Sequence, residues 1–224
     1  MPLKTHKTHP RPFASVPTLI WDWNGTLVDD IHITMLCINE LLEEYDLPSL
    51  TIPRYRRIFQ FPVKNYYVSA GFDFAQESFE ILAQKFISKY YSHLSEISLY
   101  PGVESILNWY NQRGYPQYIL SAMESTTLTQ NVEKLGIAGY FQKIYGLNHI
   151  YASGKLDLGR QLVQTEGLDP KNSWMIGDTL HDAEISHQLH FNFVFVPWGH
   201  QAVEVFHPSP VHRINSLKDL LSIV

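Results

Sequence analysis

The stretch Thr18-Leu19-Ile20-Trp21-Asp22-Trp23-Asn24-Gly25-Thr26-Leu27 begins as an apolar run and breaks into polar residues. A short apolar run that ends in Asn-Gly is typical of a buried β-strand leading into a turn. Open parallel sheets bind their ligands outside the carboxyl ends of their strands. The stretch therefore predicts the first strand of a sheet, with a polar site at its end.

Further apolar runs come late in the chain and alternate with helical patterns. The runs occupy residues 116–122, 141–147, 173–178, 192–198 and, more weakly, 211–214. Between them, residues 103–113 and 125–135 show helical periodicity, and a glycine follows each. Alternating strands and helices predict an α/β fold, a Rossmann-like, doubly wound parallel sheet covered on both faces.

Residues 31–99 follow another pattern. Apolar side chains recur there at helical spacing, and no clear β run is present. The pattern predicts an all-helical cap inserted between the first two strands, which assigns residues 18–30 and 100–224 to an α/β core. Residues 1–17, which contain four prolines, are expected to form a flexible tail.

Composition excludes several classes of function. The chain has 224 residues, with 17 basic and 22 acidic side chains and a net charge of −5, which argues against nucleic-acid or anionic-membrane partners. The single cysteine, Cys37, excludes an internal disulfide and a cysteine-based metal cluster, and its apolar context predicts a packing role. With no apolar run long enough for a membrane span and no secretory signal, we expect a cytoplasmic protein, a monomer or homodimer.

Polar residues follow three of the expected strands, at places where they can converge. Asp22 ends the first strand, Ser121 ends the second, and Asp178 and Asp182 follow a later one. Lys155 begins a helical pattern, where its ammonium group and the helix N-terminus can both face an anion. The pattern predicts one anion-binding crevice at the strand ends.

These residues also carry a family resemblance that extends over residues 18–224. Asp22-x-Asn24-Gly25-Thr26, Ser121, Lys155 and Gly177-Asp178-x-x-x-Asp182 resemble, in order and spacing, the four motifs of the haloacid dehalogenase superfamily. The chain is most similar to the phosphoglycolate phosphatase and β-phosphoglucomutase-like branch, and the helical insert resembles that branch's C1 cap.

The resemblance implies a Mg²⁺-dependent phosphatase that acts on a small phosphorylated metabolite. Asp22 would be the nucleophile that forms an aspartyl-phosphate, and a hard cation would offset its repulsion of the phosphate. Ser121 would donate a hydrogen bond to the phosphoryl group, and Lys155 would neutralise charge there. The implied metal ligands are Asp22, the Asn24 carbonyl, Asp178 and Asp182; the implied substrate-binding residues are Gly25, Thr26, Ser121, Ala122 and Lys155.

One position departs from the family pattern. Phosphatases of this family usually carry an aspartate two residues after the nucleophile as general acid and base, and here that residue is Asn24. An amide cannot transfer a proton near neutral pH, and loss of general acid–base catalysis typically costs about 10²–10⁴-fold in rate. The alternatives are a phospholigand-binding or regulatory protein with impaired catalysis, and a non-phosphatase reaction; the complete metal motif disfavours the dehalogenase branch.

Three groups of residues have open roles. His181 and His200 are candidate substitutes for the missing acid and base, although each has the commoner alternative of an ordinary surface or hydrogen-bonded histidine. Arg57, near the aromatic run at residues 59–62, is a candidate substrate-binding residue; alternatively, those aromatics form the cap core and the charges its solvated face. Asp29 and Asp30 are expected to cap the first cap helix, and Gly25 to serve the turn after Asp22.

Overall fold

The computed structural model describes residues 16–206 and 212–224, so the predicted tail lies almost entirely outside the described residues. The predicted α/β class is confirmed. The strands are β1 (Thr18–Trp21), β2 (Val28–Asp29), β3 (Ser98–Leu99), β4 (Gln117–Glu124), β5 (Lys143–Leu147), β6 (Ser173–Gly177), β7 (Asn192–Phe195) and β8 (His212–Arg213).

Six strands form one parallel sheet in the order β5-β4-β1-β6-β7-β8. The chain builds outward from β1 through β4 to β5, then crosses to β6 on the other side of β1. Trp21 pairs with Ile119 of β4 and with Ile176 of β6. The carboxyl ends of β1, β4 and β6 therefore lie side by side, at the point where such sheets hold ligands.

The helices divide into two groups. Four helices lie in the segment predicted to be the cap and are called the cap helices: α1 (Ile31–Glu43), α2 (Ile52–Ile58), α3 (Val63–Ala70) and α4 (Phe79–Ser92). The others are α5 (Val103–Asn111), α6 (Ser125–Lys134), α7 (Lys155–Glu166) and α8 (Leu180–Leu189). Among the helices of the described residues, none is long and apolar enough to cross a bilayer.

The cap helices lie between β2 and β3 and enclose a hydrophobic cluster that includes Ile38, Leu41, Tyr55 and Leu82. The segment expected to be entirely helical nevertheless ends in a strand, because β3 pairs antiparallel with β2. Two residues are too few to show the alternation by which a strand is recognised in a sequence. Cys37 is buried, as predicted.

The sheet is covered on both faces, as the apolar runs predict. Leu19 and Trp21 of β1 belong to a cluster on one face, while Ile20 between them belongs to the cluster on the other face. All three side chains are fully buried, and burial of each contributes roughly 1.5–3 kcal/mol. Successive side chains of a strand point to opposite faces, so a doubly covered strand is continuously apolar.

Candidate active site

Three aspartates meet at the carboxyl ends of β1 and β6. Asp22 follows β1, and its backbone amide still bonds the Ile176 carbonyl at 2.9 Å. Asp178 follows β6, and Asp182 lies in the first turn of α8. All three are buried, and their carboxylate oxygens come within 4.8 Å of one another. The structure thus brings together the side chains that the sequence predicts as metal ligands.

Lys155 lies among these carboxylates. Its Nζ donates hydrogen bonds to Asp22 Oδ1 at 2.5 Å and to Asp182 Oδ1 at 2.6 Å. It is the first residue of α7 and is almost completely buried. Burial alone would lower the pKa of Lys155, but the two carboxylates raise it above its usual range. The ammonium group is therefore charged at neutral pH.

The cluster holds three acidic side chains and one basic side chain. Burial raises the pKa of Asp22 to about 6 despite Lys155. Burial also raises the pKa of Asp178 well above its usual range. Burial would do the same to Asp182, but Lys155 lowers its pKa. One ammonium group is thus too little positive charge to keep three buried carboxyl groups ionised. A hard divalent cation such as Mg²⁺, which prefers oxygen ligands, would supply the charge that is missing.

Hydrogen bonds hold Asp178 and Asp182, the two aspartates that follow β6. Asp182 Oδ2 accepts from the Thr179 hydroxyl at 2.6 Å and from the Thr179 backbone amide at 3.1 Å, while Asp182 Oδ1 binds Lys155. Asp178 accepts from the Thr26 hydroxyl at 3.3 Å and from the His200 backbone amide at 2.5 Å. These donors hold both carboxylates in place.

Two glycines let the backbone approach Asp178 closely. Gly25 has φ of +72°, and a Cβ there would lie 2.4 Å from Asp178 Oδ2, which confirms that the turn after Asp22 needs glycine. A Cβ on Gly199 would lie 2.1 Å from the same oxygen. Any larger residue at either position would displace the Asp178 carboxylate.

Ser121 and Ala122 enter the site from β4. The register between β4 and β5 shifts between Leu120 and Glu124, and irregularities of this kind re-aim side chains next to active sites. Ser121 is buried, and its Oγ accepts from the Met123 amide at 3.1 Å. Ser121 and Ala122 line the same cavity as Asp22 and Lys155.

The Asn24 side chain turns toward the start of the cap. Its amide donates to Asp30 Oδ2 at 2.9 Å and to the Tyr90 hydroxyl oxygen at 2.8 Å. The expected capping role of Asp30 is wrong in its chemistry: Asp30 is at the N-cap position of α1 but makes no capping hydrogen bond. Its buried carboxylate instead accepts hydrogen bonds from the Asn24 amide, the Tyr90 hydroxyl and the Gly25 backbone amide, and it contacts His200 Nε2.

His200 is buried in the same network, which leaves it an ordinary hydrogen-bonded histidine. Its Nε2 lies 3.1 Å from Asp30 Oδ1, and its Nδ1 lies 2.9 Å from the Tyr55 hydroxyl. Burial alone would lower the pKa of His200, but Asp30 raises it to about 9. Both ring nitrogens have partners, so neither is free to exchange a proton with a substrate in this arrangement.

The geometry of the site agrees with the result of comparing the sequence with models of known protein families. A family model described as "Haloacid dehalogenase-like hydrolase" matches residues 19–196. The chain belongs to this family. The resemblance read from Asp22, Ser121, Lys155 and Asp178 is confirmed.

Two relatives and one solved structure are similar to this chain over most of its length. A phosphoglycolate phosphatase from Nitrosococcus oceani is 27% identical over 91% of this chain and 96% of its own length. The pyrophosphatase PpaX from Oceanobacillus iheyensis is 22% identical over 94% and 97%. A haloacid dehalogenase-like hydrolase from Streptococcus pneumoniae, 22% identical, superposes with a TM-score of 0.82 over 94% of this chain and 99% of that chain.

Some predicted residues of this hydrolase lie away from the cavity. Arg57 is exposed and does not line it. His181 is also outside the lining, stacks on Phe61 with ring centroids 4.5 Å apart, and has a pKa that burial lowers. Gly25 lies close against Asp178 and the Thr26 hydroxyl donates to it, but neither residue lines the cavity.

Sequence reasoning missed the part of the site contributed by the cap. Tyr55 and Tyr90 are buried, line the cavity and hold His200 and Asn24. The one available signal was the acidic pair Asp29-Asp30, a few residues after Asp22. Nothing in the sequence connects that pair with His200, 170 residues away.

Proposed function

We propose that this hydrolase is a Mg²⁺-dependent phosphatase, similar to phosphoglycolate phosphatases, that acts on a small phosphorylated metabolite in the cytoplasm. The observation that carries the proposal is the buried group of Asp22, Lys155, Asp178 and Asp182 at the floor of one cavity. Phosphoryl transfer depends mainly on positioning and on positive charge near the phosphoryl oxygens, and this group supplies an aligned nucleophile with one fixed cation.

In this proposal Asp22 attacks phosphorus and carries the phosphoryl group as an aspartyl-phosphate. Lys155, held by hydrogen bonds to Asp22 and Asp182, neutralises charge that develops on the phosphoryl oxygens. The Ser121 hydroxyl donates a hydrogen bond to one of those oxygens. The ligands for Mg²⁺ would be Asp22, the Asn24 carbonyl, Asp178 and Asp182, and the ion would neutralise the phosphate and reduce its repulsion by Asp22.

Asn24 slows this reaction in our proposal. Its amide cannot protonate a leaving alcohol, and it donates to Asp30 and Tyr90 rather than pointing a free group into the cavity. Leaving groups that need no proton are therefore expected to depart faster than simple alkoxides.

The first experiment is phosphate release from p-nitrophenyl phosphate with Mg²⁺ or with EDTA. We expect turnover only with Mg²⁺ and its loss in Asp22→Asn. Full activity of Asp22→Asn would contradict the aspartyl-phosphate. The thermal midpoint provides a second measurement, because a ligand that binds only the folded state raises it. Mg²⁺ should raise the midpoint of the wild type and not that of Asp178→Asn.

The engaged Asn24 amide also favours a second candidate, a phospholigand-binding protein with impaired catalysis. That function would bind phosphate esters without turnover. Absence of turnover in both the wild type and Asn24→Asp, with inorganic phosphate still raising the thermal midpoint, would support it over the phosphatase.

A further inference from the structure

The cap side of the active-site cavity is a nearly continuous aromatic surface, here called the aromatic wall. The cavity has a volume of about 170 Å³, far above the roughly 10–15 Å³ that one water needs. Adjacent rings of the wall are held in mainly edge-to-face contact with centroids 5.3–6.1 Å apart. The wall consists of Phe59, Tyr66, Tyr67, Phe79, Phe86 and Tyr90.

No free cation faces this wall from the described residues that line the cavity. The only basic side chains among them are Lys155 and His200. Lys155 is bound by Asp22 and Asp182, and both ring nitrogens of His200 are taken by Asp30 and Tyr55.

The basic residues of α2 and α3 do not supply a free cation to the cavity either. Arg54, Arg57 and Lys64 are exposed, and Arg56 donates to the Trp198 carbonyl at 2.5 Å. None of the four lines the cavity. A carboxylate or second phosphate on the leaving group would lose its water here without gaining a counterion, which is strongly unfavourable.

The remaining charge in the lining is acidic. Burial alone would raise the pKa of Glu124, but the Thr126 and Thr127 amides lower it to about 2, so this carboxylate is ionised at neutral pH. An anionic leaving group would be repelled by it. An uncharged aromatic group would instead gain ring contacts, which are worth more than the buried area alone.

The wall contains a fully buried polar atom that lacks a partner. The Tyr66 hydroxyl is buried and has no hydrogen-bond partner among the described residues. A buried hydroxyl is unfavourable until it is paired. A polar substituent on an aromatic ligand would satisfy it without bringing a charge into the cavity.

The wall and Asn24 together point to one substrate class. A phenol such as the tyrosine side chain has a pKa of about 10, whereas water, a model for a simple alcohol, has a pKa of about 15.7. A phenolate therefore leaves far more readily without a general acid. We infer that this hydrolase prefers aryl phosphate monoesters with an uncharged ring over phosphorylated carboxylic acids; this inference rests on the proposed phosphatase function.

The reaction balances without any further reactant. An Asp22 oxygen forms a bond to phosphorus, the bond between phosphorus and the aryl oxygen breaks, and its electron pair leaves with the phenolate, which takes a proton from water. Water then attacks the aspartyl-phosphate, the bond between phosphorus and the Asp22 oxygen breaks, and its electrons return to the carboxylate. The products are a phenol and inorganic phosphate.

The test compares phenyl phosphate, 2-phosphoglycolate and acetyl phosphate as substrates in Mg²⁺. Acetyl phosphate has a good leaving group but no ring, so it reports the chemistry without the wall. We expect kcat/KM for phenyl phosphate to exceed that for 2-phosphoglycolate at least 10-fold. Phenylphosphonate, which is not hydrolysed, should also inhibit acetyl phosphate turnover at lower concentration than phosphonoacetate does.

Substitutions test whether the aromatic wall causes the preference for phenyl phosphate. Phe86→Leu should raise KM for phenyl phosphate about 3- to 10-fold and change KM for acetyl phosphate less than 2-fold. Phe86 is half-buried, so the protein is expected to tolerate leucine there. The matched control is Phe141→Leu, a half-buried phenylalanine outside the cavity lining, which should change neither KM.

The possible outcomes test the substrate preference and the proposed phosphatase function separately. Turnover with 2-phosphoglycolate equal to or better than phenyl phosphate would overturn this inference and leave the phosphatase intact. Equal effects of Phe86→Leu on phenyl phosphate and acetyl phosphate would do the same. Absence of turnover with all three esters would overturn the proposed phosphatase itself and the inference with it.

Discussion

Asn24 Nδ2 donates a hydrogen bond to Asp30 Oδ2 at 2.9 Å. The bond joins the residue two positions after Asp22, the proposed nucleophile, to the N-cap of the first cap helix. Tyr90, from the last cap helix, donates to the same Asp30 oxygen at 2.9 Å. Asn24 therefore ties the loop that follows β1 to the first and last of the cap helices.

Replacing Asn24 with aspartate should lower the stability of the protein and raise its phosphatase activity. The new carboxylate cannot donate to Asp30 and is repelled by it, so we expect the free energy of unfolding to fall by about 1–3 kcal/mol. Freed from Asp30, the carboxyl group can transfer protons, and we expect kcat for an alkyl phosphate such as glycerol 2-phosphate to rise about 10²-fold. Urea unfolding and phosphate release measure the two effects.

The control for this exchange is Asn24→Ala, which removes the same hydrogen bonds without adding a carboxyl group. It should be destabilised without any gain in kcat. A gain in Asn24→Ala equal to that in Asn24→Asp would show that loosening the cap, rather than proton transfer, limits turnover.

Removing the buried ammonium group of Lys155 should lower the free energy of unfolding. Lys155→Met leaves Asp22 and Asp182 buried without their ion-pair partner, and breaking a buried pair in this way typically costs 3–5 kcal/mol. We expect a loss of about this size in the free energy of unfolding in urea with EDTA, and a smaller loss with Mg²⁺. The control, Lys134→Met at an exposed position, should stay within about 0.5 kcal/mol of wild type. Similar losses in both variants would contradict the buried ion pair.

The close approach of Gly199 to Asp178 makes a steric prediction. Gly199→Ala would place its Cβ 2.1 Å from Asp178 Oδ2, so the carboxylate or the loop must move. We expect the Mg²⁺-induced rise in thermal midpoint and the phosphatase turnover to fall at least 10-fold. Gly139→Ala adds the same methyl group where nothing lies within 4 Å, and should leave both readouts unchanged. Unchanged Mg²⁺ binding in Gly199→Ala would contradict the assignment of Asp178 as a ligand.

Glu124 makes stability depend on pH. Burial would raise its pKa, but the backbone amides of Thr126 and Thr127 lower it from 4.5 to about 2 in the folded protein. Its stabilisation of α6 is thus fully present above about pH 4.5 and is lost as the pH falls toward 2. Glu124→Gln should lower the free energy of unfolding by about 1 kcal/mol at pH 7, and its difference from wild type should shrink between pH 4.5 and 2.

Urea unfolding at several pH values measures this difference, with Glu133→Gln at an exposed position of the same helix as the control. Glu133→Gln should differ little from wild type at any pH. A Glu124→Gln difference that stays constant down to pH 2 would show that the carboxylate charge does not stabilise α6.

The sequence alone predicted the α/β class and the strands that lead to the polar residues of the site. It also predicted that Asp22, Ser121, Lys155 and Asp178 converge. These features depend on local patterns: a doubly covered parallel strand is continuously apolar, and the ends of parallel strands share one edge of the sheet. The requirement for glycine at position 25 was predictable for the same reason, because Asn24-Gly25 marks a turn.

Only the tertiary structure decided how the cap completes the site. Asn24 meets Tyr90 across 66 residues, and His200 meets Asp30 across 170. It also decided that the basic residues near the aromatic run lie outside the cavity while the aromatics line it, which helical spacing in so short a segment does not distinguish. Side-chain pairs like these depend on how separate elements pack, and packing distance is not encoded in any local periodicity.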